Sequence, residues 1–210
     1  MSRTTHERAA MRNRSRPASL LLCISVVLVV ASPLSAGVIT FEGYPDGTVL
    51  TTQYPGLTFA NAMIITAGIS LNEFEFPPHS GVNVAFDDGG PMTITFAAPL
   101  LSFGGYSTYA QPLTIDAFNL TGTLLTSATS AFSNNEALSD DPGSSPNEFL
   151  EVTSSGGIST ITLIADPNGS SFTVDDVPIT AVVPEPAAIT LLVSGCFALL
   201  TDRTRRGVPR

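Results

Sequence analysis

Lysine and tryptophan are both missing from this chain of 210 residues, and histidine and cysteine occur only twice each. The cysteines, Cys23 and Cys196, sit in apolar runs near the two ends, so the segment between them has no disulfide and no thiolate zinc site or nucleophile. His6 lies near the start, which leaves His79 as the sole imidazole of the middle segment, within Pro77-Pro78-His79-Ser80-Gly81. A serine triad would have to use that ring, yet no Gly-x-Ser-x-Gly elbow is present, and a zinc site would lack a second histidine. Arginine is confined to the ends as well, with none between Arg16 and Arg203. The middle is therefore acidic without a compensating cation. It has no electrostatic footprint for nucleic acid, whose phosphates require Lys or Arg, and anionic lipid headgroups repel it.

What the chain does have, it has in order. Arg3, Arg8, Arg12, Arg14 and Arg16 precede the apolar run Leu20 to Ala31, and Pro33, Ser35 and Ala36 follow as small-residue cleavage sequence. This is the build of a secretory signal peptide over residues 1–36, with cleavage expected after Ala36. At the other end, Val183-Pro184-Glu185-Pro186 leads into an apolar stretch and then a basic close of Arg203, Arg205, Arg206 and Arg210. The apolar stretch is about fourteen residues, roughly 21 Å as a helix, short for a hydrocarbon core of roughly 30 Å. Arginine at both ends predicts both termini on the cytoplasmic side before processing, with the acidic segment outside.

Residues 183–210 closely resemble the PEP-CTERM sorting signal of Gram-negative bacteria: rigid motif, short transmembrane helix, basic tail. The resemblance implies an exosortase as partner, transient residence of a precursor in the inner membrane, and delivery to the cell surface or extracellular matrix.

Residues 37–182 read as one β-rich domain. Short runs such as Val38–Phe41, Met63–Thr66, Val82–Phe86, Met92–Phe96, Leu113–Phe118, Ile158–Ile164 and Phe172–Val177 alternate with Asp-Gly, Gly-Gly and Pro-Gly punctuation. Met92-Ile94-Phe96 and Ile161-Leu163 place apolar residues on one face and threonine on the other. No helical period of useful length occurs, so the expected fold is all-β, an antiparallel β-sandwich. Glu73 and Glu75 alternate with Phe74 and Phe76 in the pattern of a half-buried strand, whereas Asp87-Asp88-Gly89-Gly90 and Asp140-Asp141-Pro142-Gly143 read as turns. The longest interruption, Ala128 to Asn147, is rich in Ser, Asn, Asp and Pro and is expected to be mobile.

Phe41-Glu42-Gly43 with Pro45-Asp46-Gly47-Thr48, the stretch Asp116 to Leu125, and Phe172 to Val177 resemble the opening strand, central hairpin and closing strand of jelly-roll domains found ahead of PEP-CTERM tails. Those domains are similar in build to galactose-binding and carbohydrate-binding jelly rolls. The resemblance implies that first and last strands are neighbours, so that Glu42, Asp46, Asp175 and Asp176 are candidate ligands of a structural Ca²⁺, a cation suited to carboxylate-rich sites. Asp175 and Asp176 point to opposite faces of a regular strand, so only one joins a given site.

With no Cys, Lys or Arg in the middle segment, thiolate and Schiff-base nucleophiles and guanidinium clamps are missing. The expected function is non-enzymatic: an exported surface or matrix protein. The rival is a carbohydrate-binding module for exopolysaccharide, with Tyr106 and Tyr109 presented by the loop-like segment Gly104 to Pro112 as aromatic platforms. A third reading is a small polysaccharide-acting enzyme built on a carboxylate pair, a geometry that sequence does not display.

Overall fold

The computed structural model describes residues 37–181, and the signal-peptide, sorting-motif and helical-tail readings fall on positions outside them. Ten strands follow in order: β1 (Gly37–Ile39), β2 (Leu57–Ala60), β3 (Ala62–Thr66), β4 (Asn83–Asp87), β5 (Met92–Tyr109), β6 (Thr114–Phe118), β7 (Leu124–Thr129), β8 (Glu148–Ile164), β9 (Phe172–Asp175) and β10 (Val177–Ala181). Every strand pairing is antiparallel, and the described residues contain no helix. The fold is an all-β antiparallel sandwich.

Two long strands hold it together. The first part of β5, with Met92 opposite Leu163 and Ile94 opposite Ile161, lies between β2 and the second half of β8, which continues to β6 and β7. Its last part, Tyr106 to Tyr109, lies between β9 and the first half of β8, and β9 continues to β4 and β3. The β5–β8 register shifts on either side of Leu100, where Pro99 interrupts one strand and Gly156-Gly157 the other. Such irregularities bend a strand pair and let it pass from one layer to the other. The inner faces meet in one core that includes Phe41, Leu50, Met92, Ile94, Phe103, Ile115, Ile161 and Phe172. Burying each such side chain stabilises by about 2 kcal/mol. Outside, Thr93 and Thr95 stand opposite Thr162 and Thr160, as the threonine alternation predicted.

Several local readings are corrected. Gly104-Gly105-Tyr106-Ser107-Thr108-Tyr109 is not a loop but the end of β5. Its glycines serve close approach rather than turning: a Cβ would come within 2.9 Å of the Phe149 ring at Gly104 and 2.8 Å of Val174 at Gly105. Glu73 to Phe76 is a turn, closed by Glu75 and Phe76 amides donating to the Asn72 carbonyl, and it leaves Phe74 79% exposed. Asp87 ends β4 fully buried, accepting hydrogen bonds from the Ser171 and Phe172 amides and the Ser171 hydroxyl. Burial pushes its carboxyl above the usual range despite those donors.

The connection from Ala128 to Asn147 is pinned rather than loose. Asn135 is fully buried; its Oδ1 accepts from the Tyr109 amide at 2.7 Å, and its Nδ2 donates to the Ser107 and Ser145 carbonyls. One side chain thereby satisfies three backbone groups that would otherwise be stranded at the edge of the sandwich. The hairpin read from Asp116 to Leu125 is present as β6–β7, its turn closed by Asn119 Oδ1 accepting from the Thr121 and Thr123 amides.

Candidate functional site

The outer face of β3, β4, β9, β5 and β8 carries the unusual chemistry. Tyr106 on β5 has Asp175 of β9 on one side and Phe149 of β8 on the other. Its ring meets Phe149 at 5.0 Å between centroids, tilted by 53°. The segment between β3 and β4 crosses this face. His79 from that segment stacks on Tyr106 at 3.5 Å and 6°, and its Nδ1 lies 2.6 Å from Asp176 Oδ2. The contact is an ion pair whenever the ring is protonated.

Ser80 beside it donates its amide to Asp175 Oδ2 and its hydroxyl to Asp176 Oδ1, both at 2.9 Å. Glu42 Oε1 then accepts from the amides of Val82 and Asn83 at 2.8 and 2.9 Å. Gly81 permits this approach: its φ is +57°, and a Cβ there would lie 2.1 Å from Glu42 Oε1. Asp46 Oδ1 accepts from the Thr66 amide and the Ser70 hydroxyl.

Glu42, Asp175 and Asp176 therefore converge, but on protein donors of one crossing segment, while Asp46 serves its neighbour. They do tie the opening loop to the closing strands, as the calcium reading required. Among the described residues no three His, Cys, Asp or Glu side chains are grouped to hold a metal ion. Backbone amides and serine hydroxyls donate to these carboxylates instead. Asp175 is 1% exposed, and burial raises its carboxyl to about 6 against the opposing donation from the Ser80 and Asp176 amides. Asp176 links β9 to β10 with φ +43°, a left-handed conformation that Asp tolerates better than most residues.

The two tyrosines part company. Tyr106 stays partly exposed on the outer face; Tyr109 points into the core, fully buried, its hydroxyl donating to Glu148 Oε2. Period-two geometry alone puts Gly104, Tyr106 and Thr108 on one face and Tyr109 on the other once the segment is a strand. Two ring partners were missed: Phe149, 43% exposed, and His79, read only as an exposed loop residue. The alternation in Phe149-Leu150-Glu151-Val152 was the available signal for Phe149; nothing in the sequence pairs His79 with Tyr106.

Between these rings and the terminal strands lies an open cleft of about 350 Å³, lined by Val38, Tyr106, Phe149, Asp176 and Pro178. A second cleft of similar volume, mainly apolar, lies across the same sheet between Met63, Ile65, Leu71, Phe76 and Phe86. Of the eighteen acids only Glu7, Glu185 and Asp202 fall outside residues 37–181, so the described domain carries fifteen carboxylates and no Lys or Arg.

No family model matches the chain, and no curated protein matches it. Solved structures similar to it include the K2 cleaved adhesin domain of Lys-gingipain, at 14% identity and TM-score 0.45 over 70% of this chain and 99% of that one. A family 6 carbohydrate-binding module is similar at 14% identity and TM-score 0.35, over 64% of this chain and 92% of that one. The CBM22-1 xylan-binding domain from Paenibacillus barcinonensis Xyn10C is similar at 10% identity and TM-score 0.34, over 71% and 98%. At these identities and scores none of them assigns a ligand to this chain.

Proposed function

We propose that this protein is an exported, non-catalytic surface or matrix protein whose sandwich holds extracellular polysaccharide in the Tyr106–Phe149 cleft. The observation that carries the reading is the cleft itself: an exposed and a half-buried aromatic ring on neighbouring paired strands, with a carboxylate at the rim. Aromatic faces pack against the apolar faces of sugar rings while rim oxygens take their hydroxyls. His79, the single imidazole among the described residues, is held beside the cleft by Asp176 at Nδ1 and by the stacked Tyr106 ring. The PEP-CTERM-like tail supports export and exosortase processing, through a precursor held in the inner membrane.

Binding is tested by affinity electrophoresis of the exported protein on a panel of soluble polysaccharides. Retardation by at least one polymer, lost in Tyr106→Ala with the fold preserved, is expected; no retardation by any polymer refutes the binding role. Turnover of a retained polymer would instead make it an enzyme. Sorting is tested by intact mass: the surface form should end near Val183 to Pro186, and finding Arg210 on it would refute processing.

A further inference from the structure

We infer that the Tyr106–Phe149–Asp176 cleft selects glycans bearing free amino groups over neutral or acidic ones, an inference that rests on the polysaccharide-binding reading above. Three observations meet at this one place. The first is the ring pair: Tyr106 and Phe149 are tilted by 53° at 5.0 Å and both line the cleft; His79 covers one face of Tyr106, so Phe149, 43% exposed, is the more open ring. An exposed aromatic face such as that of Phe149 attracts an ammonium group through the ring quadrupole, in addition to packing against the sugar carbons.

The second is Asp176. Its side chain is 14% exposed and lines the same cleft, with His79 on one oxygen and Ser80 on the other. An ionised carboxylate has about four acceptor positions, so two contacts leave room for a further donor. An ammonium on a sugar packed against the rings would find that acceptor, a charge-assisted bond stronger than any a neutral hydroxyl makes. The position is held in place: Asp176 is the left-handed residue between β9 and β10, and Ser80 and His79 fix its side-chain orientation.

The third is the surroundings. Val38 and Pro178 also line the cleft and supply no competing charge. With fifteen carboxylates and no Lys or Arg in residues 37–181, the field at the cleft draws cations in and drives polyanions away. A uronate-rich polymer would bring its own carboxylates to Asp176 with no cation to receive them. His79 Nδ1 already faces one Asp176 oxygen, so the ligand's ammonium takes a remaining acceptor position.

The test compares glucosamine oligomers with their fully N-acetylated counterparts, of equal length, on the exported protein by calorimetry at mildly acidic pH. The two share ring and linkage and differ at the sugar nitrogen, an ammonium in one and a neutral acetamide in the other. The free-amine oligomer should bind about tenfold more tightly, as a cation–π contact plus a charge-assisted hydrogen bond implies. The preference should disappear in Asp176→Asn. It should persist in Asp140→Asn, which removes an exposed acid from the connection between β7 and β8. Equal affinity for the amine and acetyl forms overturns the inference and leaves polysaccharide binding standing, whereas no affinity for either, with no other polymer bound, removes both. Equal loss of preference in Asp140→Asn overturns it too, because a diffuse field would then explain the selectivity. Oligolysine competing as well as the glucosamine oligomer overturns the glycan class. If Asp176→Asn does not fold, the comparison between amine and acetyl forms on the native protein still decides.

Discussion

Asp175 should make this domain more stable in mild acid than at neutrality, the reverse of ordinary acid denaturation. Its carboxyl goes from 3.8 in the unfolded chain to about 6 in the folded one, because burial outweighs the backbone amides it accepts from. The groups packed around it are Asp176, which repels its charge, the backbone of His79 and Ser80, which donates to it, and Tyr106 on the paired strand. A raised folded value means that the native state binds the proton more tightly. The stabilisation is fully present below the unfolded value and is lost as pH rises through about 6. Integrating between about pH 7 and about pH 4.5 gives about 2 kcal/mol, or about 6 °C in melting temperature for a domain of this size.

Asp87, fully buried and also raised, adds in the same direction; the surface acids Asp141 and Asp166 are lowered by their hydrogen bonds and act weakly against it. Relief of repulsion among the acids also favours low pH. Thermal unfolding of native protein and of Asp175→Asn, followed by circular dichroism at the two pH values, separates these contributions. The variant should lose about 2 kcal/mol of the difference between the two pH values, whatever its absolute stability. An undiminished difference would refute the assignment to Asp175.

Three further outcomes follow from the same geometry. Glu42→Ala strips the acceptor from the Val82 and Asn83 amides and should cost about 2 kcal/mol in urea unfolding, and Gly81→Ala should show a comparable loss by colliding with Glu42. Asn135→Ala should cost about 3 kcal/mol by leaving three backbone groups without their partner, with hydrogen exchange rising first between Ser130 and Asn147. Melting should be the same in millimolar calcium and in chelator, since protein donors serve Glu42, Asp46, Asp175 and Asp176; a higher melting point with calcium would establish the cation site the sequence suggested.

Strand signals proved legible wherever one face was apolar and the other was threonine. Met92-Ile94-Phe96 and Ile161-Leu163 face each other as their alternation demands. Reading failed where glycine stood for close packing instead of a turn, at Gly104-Gly105, and the same error put Tyr109 at a surface it never reaches. Glu42, Asp175 and Asp176 were rightly brought near one another through the resemblance of opening and closing strands. What bound them was invisible, because the answering groups are backbone amides and Ser80, residues with no sequence signature. The Ala128–Asn147 connection looked loose for a related reason: its composition is that of a linker, and one asparagine in it decides the outcome.

The pairing of β1 with β10 has a mechanical consequence. Gly37 lies opposite Ile179, so the first and last strands of the described domain leave it side by side. Pulling those two ends apart opens the β1–β10 ladder one hydrogen bond at a time, the weak direction for a strand pair. A polymer gripped in the cleft while the chain is tethered beyond Ala181 loads the molecule differently. The cleft wall includes Pro178, so the force then runs lengthwise along β10, which is bonded to β1 on one side and β5 on the other. Its ladder bonds share that load in parallel and yield together or not at all. The domain is weak when its own ends are parted and strong when force runs along β10.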